Sequence, residues 1–137
     1  MTSEQKKAQE EQVRNKYDKI VEERAQRVFD LMVARTSRED MARLRDAFEF
    51  AREAHIHQRR RSGEPYILHP IAVAQIAAGE INLDVNSVIA AFLHDVVEDT
   101  PHSIEEIQQR FGDDVAFLVR VVTKQKKEKY EMSKQLD

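Results

Sequence analysis

Apolar residues recur along this chain in steps of three and four, the spacing that gathers them on one side of an α-helix. In the charged stretch Glu4–Ala34, which has no Gly or Pro, Val13, Tyr17, Ile20, Arg24, Val28 and Leu31 or Met32 trace a narrow stripe. Thr36 and Ser37 are good capping residues, and a second helix is predicted to start there with Met41, Leu44, Ala47, Phe48, Ala51 and Ala54 inward. It runs into His55-Ile-His-Gln-Arg-Arg-Arg61 and is broken by Ser62-Gly-Glu-Pro-Tyr66. Pro70 suits the first position of a third helix with His69 at its cap, and this mostly buried helix ends near Gly79. Asp84 or Asn86 caps a fourth helix that continues through Val88, Ile89, Ala91, Phe92, Val96 and Val97 and stops before Pro101. Ser103 and Glu106 have capping-box spacing, and Gly112 closes the short helix they open. Asp113 or Asp114 starts a last helix through Val115, Phe117, Leu118, Val121 and Val122, followed by a polar tail from Lys124. The pattern predicts an all-α fold of about six helices. Residues 1–35 form an N-terminal amphipathic helix, part of or packed on a domain that occupies residues 36–137.

Composition narrows the chemistry. A chain of 137 residues fits one domain with a modest core, and 41% hydrophobic with 34% charged residues suits helices with heavily charged outer faces. There is no cysteine, so disulfides and thiolate zinc sites are excluded, and any metal must be held by His and carboxylates. No apolar run approaches the roughly 20 residues needed to span a bilayer, and no signal-peptide core is present, so a cytoplasmic location without membrane attachment is expected. A formal net charge of −3 argues against broad binding to nucleic acid. An anionic substrate would need a metal or a local basic cluster.

Both are available. His94-Asp95-Val-Val-Glu98-Asp99 follows the apolar run Val88–Leu93. Adjacent helical residues point about 100° apart, so His94 and Asp95 can approach one ion from the same side. Glu98 and Asp99 lie one turn beyond them. Four ionisable groups beside buried aliphatics are expensive to desolvate unless a cation or mutual pairing offsets the cost. The plainer alternative is an exposed polar helix end. His69 by itself would be an ordinary capping or surface residue, but the rigid lead-in Ser62-Gly-Glu-Pro-Tyr-Ile-Leu delivers it to a helix start. Arg59-Arg60-Arg61 reads either as a solvated helix end or as a phosphate- and purine-binding fork. His55 and His57 are assigned structural or surface roles.

Taken in order, the blocks Ser62-Gly-Glu-Pro-Tyr-Ile-Leu-His-Pro70, Ala90-Ala-Phe-Leu-His-Asp-Val-Val-Glu-Asp-Thr100, Phe111-Gly and Val121-Val-Thr-Lys124 resemble the hydrolase domain of RelA/SpoT homologues. That domain is a member of the HD metal-dependent phosphohydrolases, and the likeness covers roughly residues 40–124. It implies an HD-domain helical bundle and a Mn²⁺-dependent hydrolysis of guanosine tetra- and pentaphosphate. This chemistry of the stringent response releases the 3′-pyrophosphate and returns GDP or GTP. By motif position, His69, His94 and Asp95 are metal ligands, Glu98 and Asp99 activate or orient the attacking water, and Arg60, Arg61 and Ser62 hold the guanine nucleotide. Imidazole with carboxylate suits Mn²⁺ or Fe²⁺.

Two departures accompany the likeness. His57 stands where the family usually has Gly. The family's fourth ligand is an Asp in a later Ala-Asp-Arg-Leu-His-Asn type motif, which also carries the Asn expected at the ribose. This chain lacks the motif, and Asp137 has no such context. Residues 36–137 are therefore expected to be a partial HD hydrolase domain, cut short on its C-terminal side, that need not be active alone. The alternatives are a stand-alone HD phosphohydrolase of another nucleotide, or a non-catalytic regulatory fragment. The N-terminal helix is a possible homo-oligomer surface.

Overall fold

A computed structural model describes residues 2–136, apart from the side chains at 10, 13–15, 125–127, 130 and 134–136. Val13 and Asp137, both considered above, thus fall outside the description. The elements are α1 (Ser3–Val33), α2 (Arg38–Ala54), α3 (Leu68–Gln75), which widens into a π turn (Ile76–Glu80), α4 (Val85–Leu93), α5 (Val96–Asp99), α6 (Ile104–Phe111) and α7 (Asp113–Leu136). Among the described residues there is no strand, only an isolated bridge between Arg59 and Pro65.

The hub is α4, the most apolar helix, which packs against α2, α3 and α7. Its Val88, Ile89, Phe92 and Leu93 are fully buried. Phe48 of α2 sits between Phe92 and Phe29 of α1, with ring centroids 5.9 Å from each. Ser37 caps α2 by accepting the Asp40 amide at 3.1 Å, and Leu44, Ala47, Phe48 and Ala51 make its buried stripe. The capping box of Ser103 and Glu106 forms as its spacing predicts, and Asp84 caps α4.

Several expectations change in detail. The core stripe of α1 is Val21, Ala25, Val28, Phe29 and Met32, while Arg24 and Leu31 are exposed. Ile20 packs partly buried against the core, but Arg24 does not, and Val21 and Ala25 are the apolar residues that continue the line to Val28. Gly79 lies close under the end of α1: a Cβ at that position would come within 3.0 Å of a Leu31 methyl. Arg35 then ties the helix end to the π turn, donating to the carbonyls of Ala78 at 2.9 Å and Asn82 at 3.2 Å.

His69 is not a cap. The chain already turns at Pro65, whose carbonyl accepts the Leu68 amide, and α3 begins at Leu68. Pro70 still lies in the first turn, where a missing N–H costs nothing. The polar tail is helical through Leu136, as a run of Lys, Gln and Glu without Gly or Pro allows.

Truncating the ring at the centre of this packing should unfold the domain readily. Phe48→Ala is expected to lower unfolding free energy by about 3–5 kcal/mol, read as a shifted urea midpoint with an unchanged slope.

Candidate metal centre

The fourth predicted helix does not run through to Val97. It is interrupted at His94 and Asp95, which separate α4 from α5. The cause is local: His94 Nδ1 donates to the Ala91 carbonyl at 2.6 Å, an acceptor that an unbroken helix would offer to the Asp95 amide. Asp95 takes φ −90° and ψ −9° and becomes the N-cap of α5. The same hydrogen bond fixes the tautomer of His94, leaving an Nε2 lone pair that faces away from the helix.

That lone pair meets two others. His94 Nε2 lies 3.2 Å from Asp95 Oδ2, and His69 Nε2 lies 3.7 Å from the same oxygen. One donor atom from each of the three residues falls within a common 4.8 Å. Ligands about 2.1 Å from a first-row divalent ion lie at most about 4.2 Å apart, so the two imidazole nitrogens at 3.2 and 3.7 Å from Asp95 Oδ2 are each close enough to share an ion with it. The donor set of two imidazoles and a carboxylate suits one chemically. Asp95 and His94 are buried, whereas the His69 side chain is 41% exposed and keeps the centre open to solvent.

A further donor completes the Asp95 environment. Tyr66 donates its hydroxyl to Asp95 Oδ2 at 2.7 Å. Burial, then the hydrogen bond and charge of Asp95, push the phenol well above its usual range, so it stays protonated and donating. Behind it lies His55, buried, with ring centroids 4.9 Å apart. Burial holds the His55 pKa below its ordinary 6.5, against the opposing pull of the Gln58 hydrogen bond and the Asp95 and Asp99 charges. The expectation that His55 is structural fits a side chain with 2% exposure. His57 is exposed. Tyr66 was legible in sequence only as part of a turn; its one signal was a position three residues before His69, at the foot of a rigid loop.

The other sequence-predicted residues lie on exposed ground. Glu98 and Asp99 are exposed on α5, one turn past the His-Asp pair, and Asp99 is close enough to Tyr66 to raise its pKa. Arg60, Arg61 and Ser62 are exposed on a loop closed by the Arg59–Pro65 bridge and by a hydrogen bond from Gly63 to the Arg60 carbonyl at 2.8 Å. Gly63 takes φ +90°, which a side chain would strain. Beside His94, an apolar groove of about 440 Å³ opens between α3, α4 and α7, lined by Ile76, Leu118 and Val121 among others. No helix among the described residues is long and apolar enough to cross a membrane.

Residues 47–136 match the family model described as HD domain. The chain belongs to the HD domain family. Within it, the chain is 50% identical over 97 residues to the bifunctional (p)ppGpp synthase/hydrolase SpoT of Escherichia coli (strain K12), covering 71% of this chain and 14% of that protein. It is 52% identical over 84 residues to the guanosine-3′,5′-bis(diphosphate) 3′-pyrophosphohydrolase of Aquifex aeolicus, covering 61% and 12%. A Mycobacterium leprae protein named "Probable GTP pyrophosphokinase" is 53% identical over 78 residues, covering 57% and 10%. A solved structure of a metazoan ortholog of SpoT, described as hydrolysing ppGpp, superposes with a TM-score of 0.56 at 40% identity, covering 58% of this HD chain and 46% of the other. The matched segment spans 10–14% of the length of these three curated relatives.

The direction of the His55 shift has a consequence for stability. The unfolded ring takes up a proton near pH 6.5, while the buried ring resists it to lower pH. The unfolded state therefore binds more protons below 6.5, and stability falls as pH drops through that value toward the folded pKa, by at most about 1.4 kcal/mol per unit. Urea melts between pH 7.5 and 5.5 should show this decline, and His55→Gln should flatten it.

Proposed function

We propose that this HD domain hydrolyses the 3′-pyrophosphate of guanosine tetra- and pentaphosphate in a Mn²⁺-dependent reaction. The observation that carries the reading is the convergence of His69, His94 and Asp95 inside the segment that matches the HD domain model, in a chain similar to named pyrophosphohydrolases. In this reading His69 Nε2, His94 Nε2 and Asp95 hold the ion. When bound, such an ion lowers the pKa of a coordinated water and neutralises phosphate charge.

The remaining work falls to the chain's own groups. Glu98 and Asp99 take the proton of the attacking water and orient it. The oxygen of that water bonds to the phosphorus attached at the 3′ position, and the bond from that phosphorus to the ribose 3′-oxygen breaks. The 3′-oxygen leaves with a proton, giving GDP or GTP and pyrophosphate. Arg60 and Arg61 offer planar guanidinium forks to the nucleotide's phosphate and base, and Ser62 a hydroxyl. Their exposure leaves them accessible to a ligand arriving from solvent.

A second reading is favoured by one observation. The same segment is shared with a protein named for pyrophosphokinase activity, so it also fits a regulatory module that does not turn over substrate. Pyrophosphate release from guanosine tetraphosphate with Mn²⁺ separates the two. It should be measured in this chain and in a chimaera that continues from Asp137 into the corresponding part of the Escherichia coli relative. Activity is expected in the chimaera, lost in EDTA and restored by Mn²⁺, with Asp95→Ala lowering it by at least about 100-fold. A chimaera that stays inactive, with no bound metal, supports the regulatory reading.

A further inference from the structure

We infer that Gln58 is a positioning residue that sets the acid-bearing turn α5 against the metal centre, using the buried His55 as its anchor. The inference deepens the functional reading and rests on it for the role of Glu98 and Asp99. Gln58 lies just past the end of α2, and both its main-chain and side-chain groups are engaged. Its amide bonds the His55 carbonyl at 2.9 Å, and its carbonyl accepts the Tyr66 amide at 3.0 Å. Its side-chain Oε1 meets His55 Nδ1 at 2.8 Å, and its Nε2 donates to the Asp99 main-chain carbonyl at 2.8 Å.

The last contact matters because α5 is a four-residue turn, too short to hold its own shape. Thr100 donates its amide back to the Val96 carbonyl at 3.1 Å and then leaves in extended geometry (φ −134°, ψ 168°), so the helix does not continue past Asp99. Tyr66 braces the start of the turn through Asp95, and Gln58 braces its end through Asp99. Both braces spring from the segment 58–66, so the acids of α5 are set from the same piece of chain that carries the Arg60–Ser62 loop.

Direction is imposed on this brace. Because Gln58 Nε2 must donate to a carbonyl, Oε1 faces the ring, and His55 Nδ1 is the donor. His55 Nε2 is then bare, buried and without a hydrogen-bond partner. Protonating it would bury an N–H with no acceptor, so the ring stays neutral and the amide stays in one orientation. Only a side chain with an acceptor and a donor on one rigid plane serves here. Glu of the same shape would keep the His55 arm and lose the Asp99 arm.

Amide hydrogen exchange followed by NMR tests this in the chain as it stands, without metal. Gln58→Glu, and Gln58→Met as a neutral control, should speed exchange at the Asp99 and Thr100 amides by about tenfold or more. Core amides of Phe48 and Phe92 should stay within about twofold of wild type. In the pyrophosphate-release assay Gln58→Met should lower kcat by about tenfold with little change in KM, because the acids are misplaced while the nucleotide contacts remain. Unchanged exchange at Asp99 and Thr100 in both variants overturns the inference, as does equal acceleration in α2 and α4. If the wild-type chain releases no pyrophosphate, the functional reading is what suffers, and the exchange comparison still decides the role of Gln58.

Discussion

The carboxylate of Asp95 is the constraint around which this domain is arranged. With 2% of its surface exposed, an unpaired carboxylate there would cost several kcal/mol. Its Oδ2 is met instead by the Tyr66 hydroxyl, with the His94 and His69 imidazoles close by. Each of these partners comes from a different local device. Tyr66 is delivered by the bridged loop, His69 by the first turn of α3, and His94 by a ring-to-carbonyl hydrogen bond that ends α4.

In the proposed function, the same arrangement would let an acidic chain serve an anionic substrate. Asp95, Glu98 and Asp99 gather negative charge within five residues, on a chain whose net charge is already −3. In the proposed reading a divalent ion would offset most of that charge, and the Arg60–Arg61 pair adds positive charge at the exposed loop. Because α4 is the hub of the core, the ligands at its end are positioned by the packing of α2, α3 and α7. Stability and site geometry therefore share the same aromatic and aliphatic contacts, with Phe48 and Phe92 at their centre.

Much of this was legible in the residues. Ser37, Asp84 and the Ser103–Glu106 pair marked helix starts because capping is local chemistry, written within four residues. That His69 would meet His94 and Asp95 was legible because the latter two are adjacent and His69 follows a loop of recognisable rigidity. What escaped depends on non-local contacts. The α1 stripe was drawn through the exposed Arg24, whereas Val21 and Ala25 are the buried positions, set by packing against α2 and α3. The break at His94 was hidden because apolar periodicity continues through Val96 and Val97. The Tyr66 and Gln58 bonds join residues 29 and 41 positions apart, a distance at which sequence spacing carries no signal.

The most direct test of the central claim is a crystal grown with Mn²⁺ and examined by anomalous scattering at the manganese edge. The account predicts one strong peak bonded to His69 Nε2, His94 Nε2 and a carboxylate oxygen of Asp95, at about 2.1–2.2 Å from each. Ordered density for Tyr66, Asp95 and both imidazoles, with Mn²⁺ in excess and no peak between them, would contradict it.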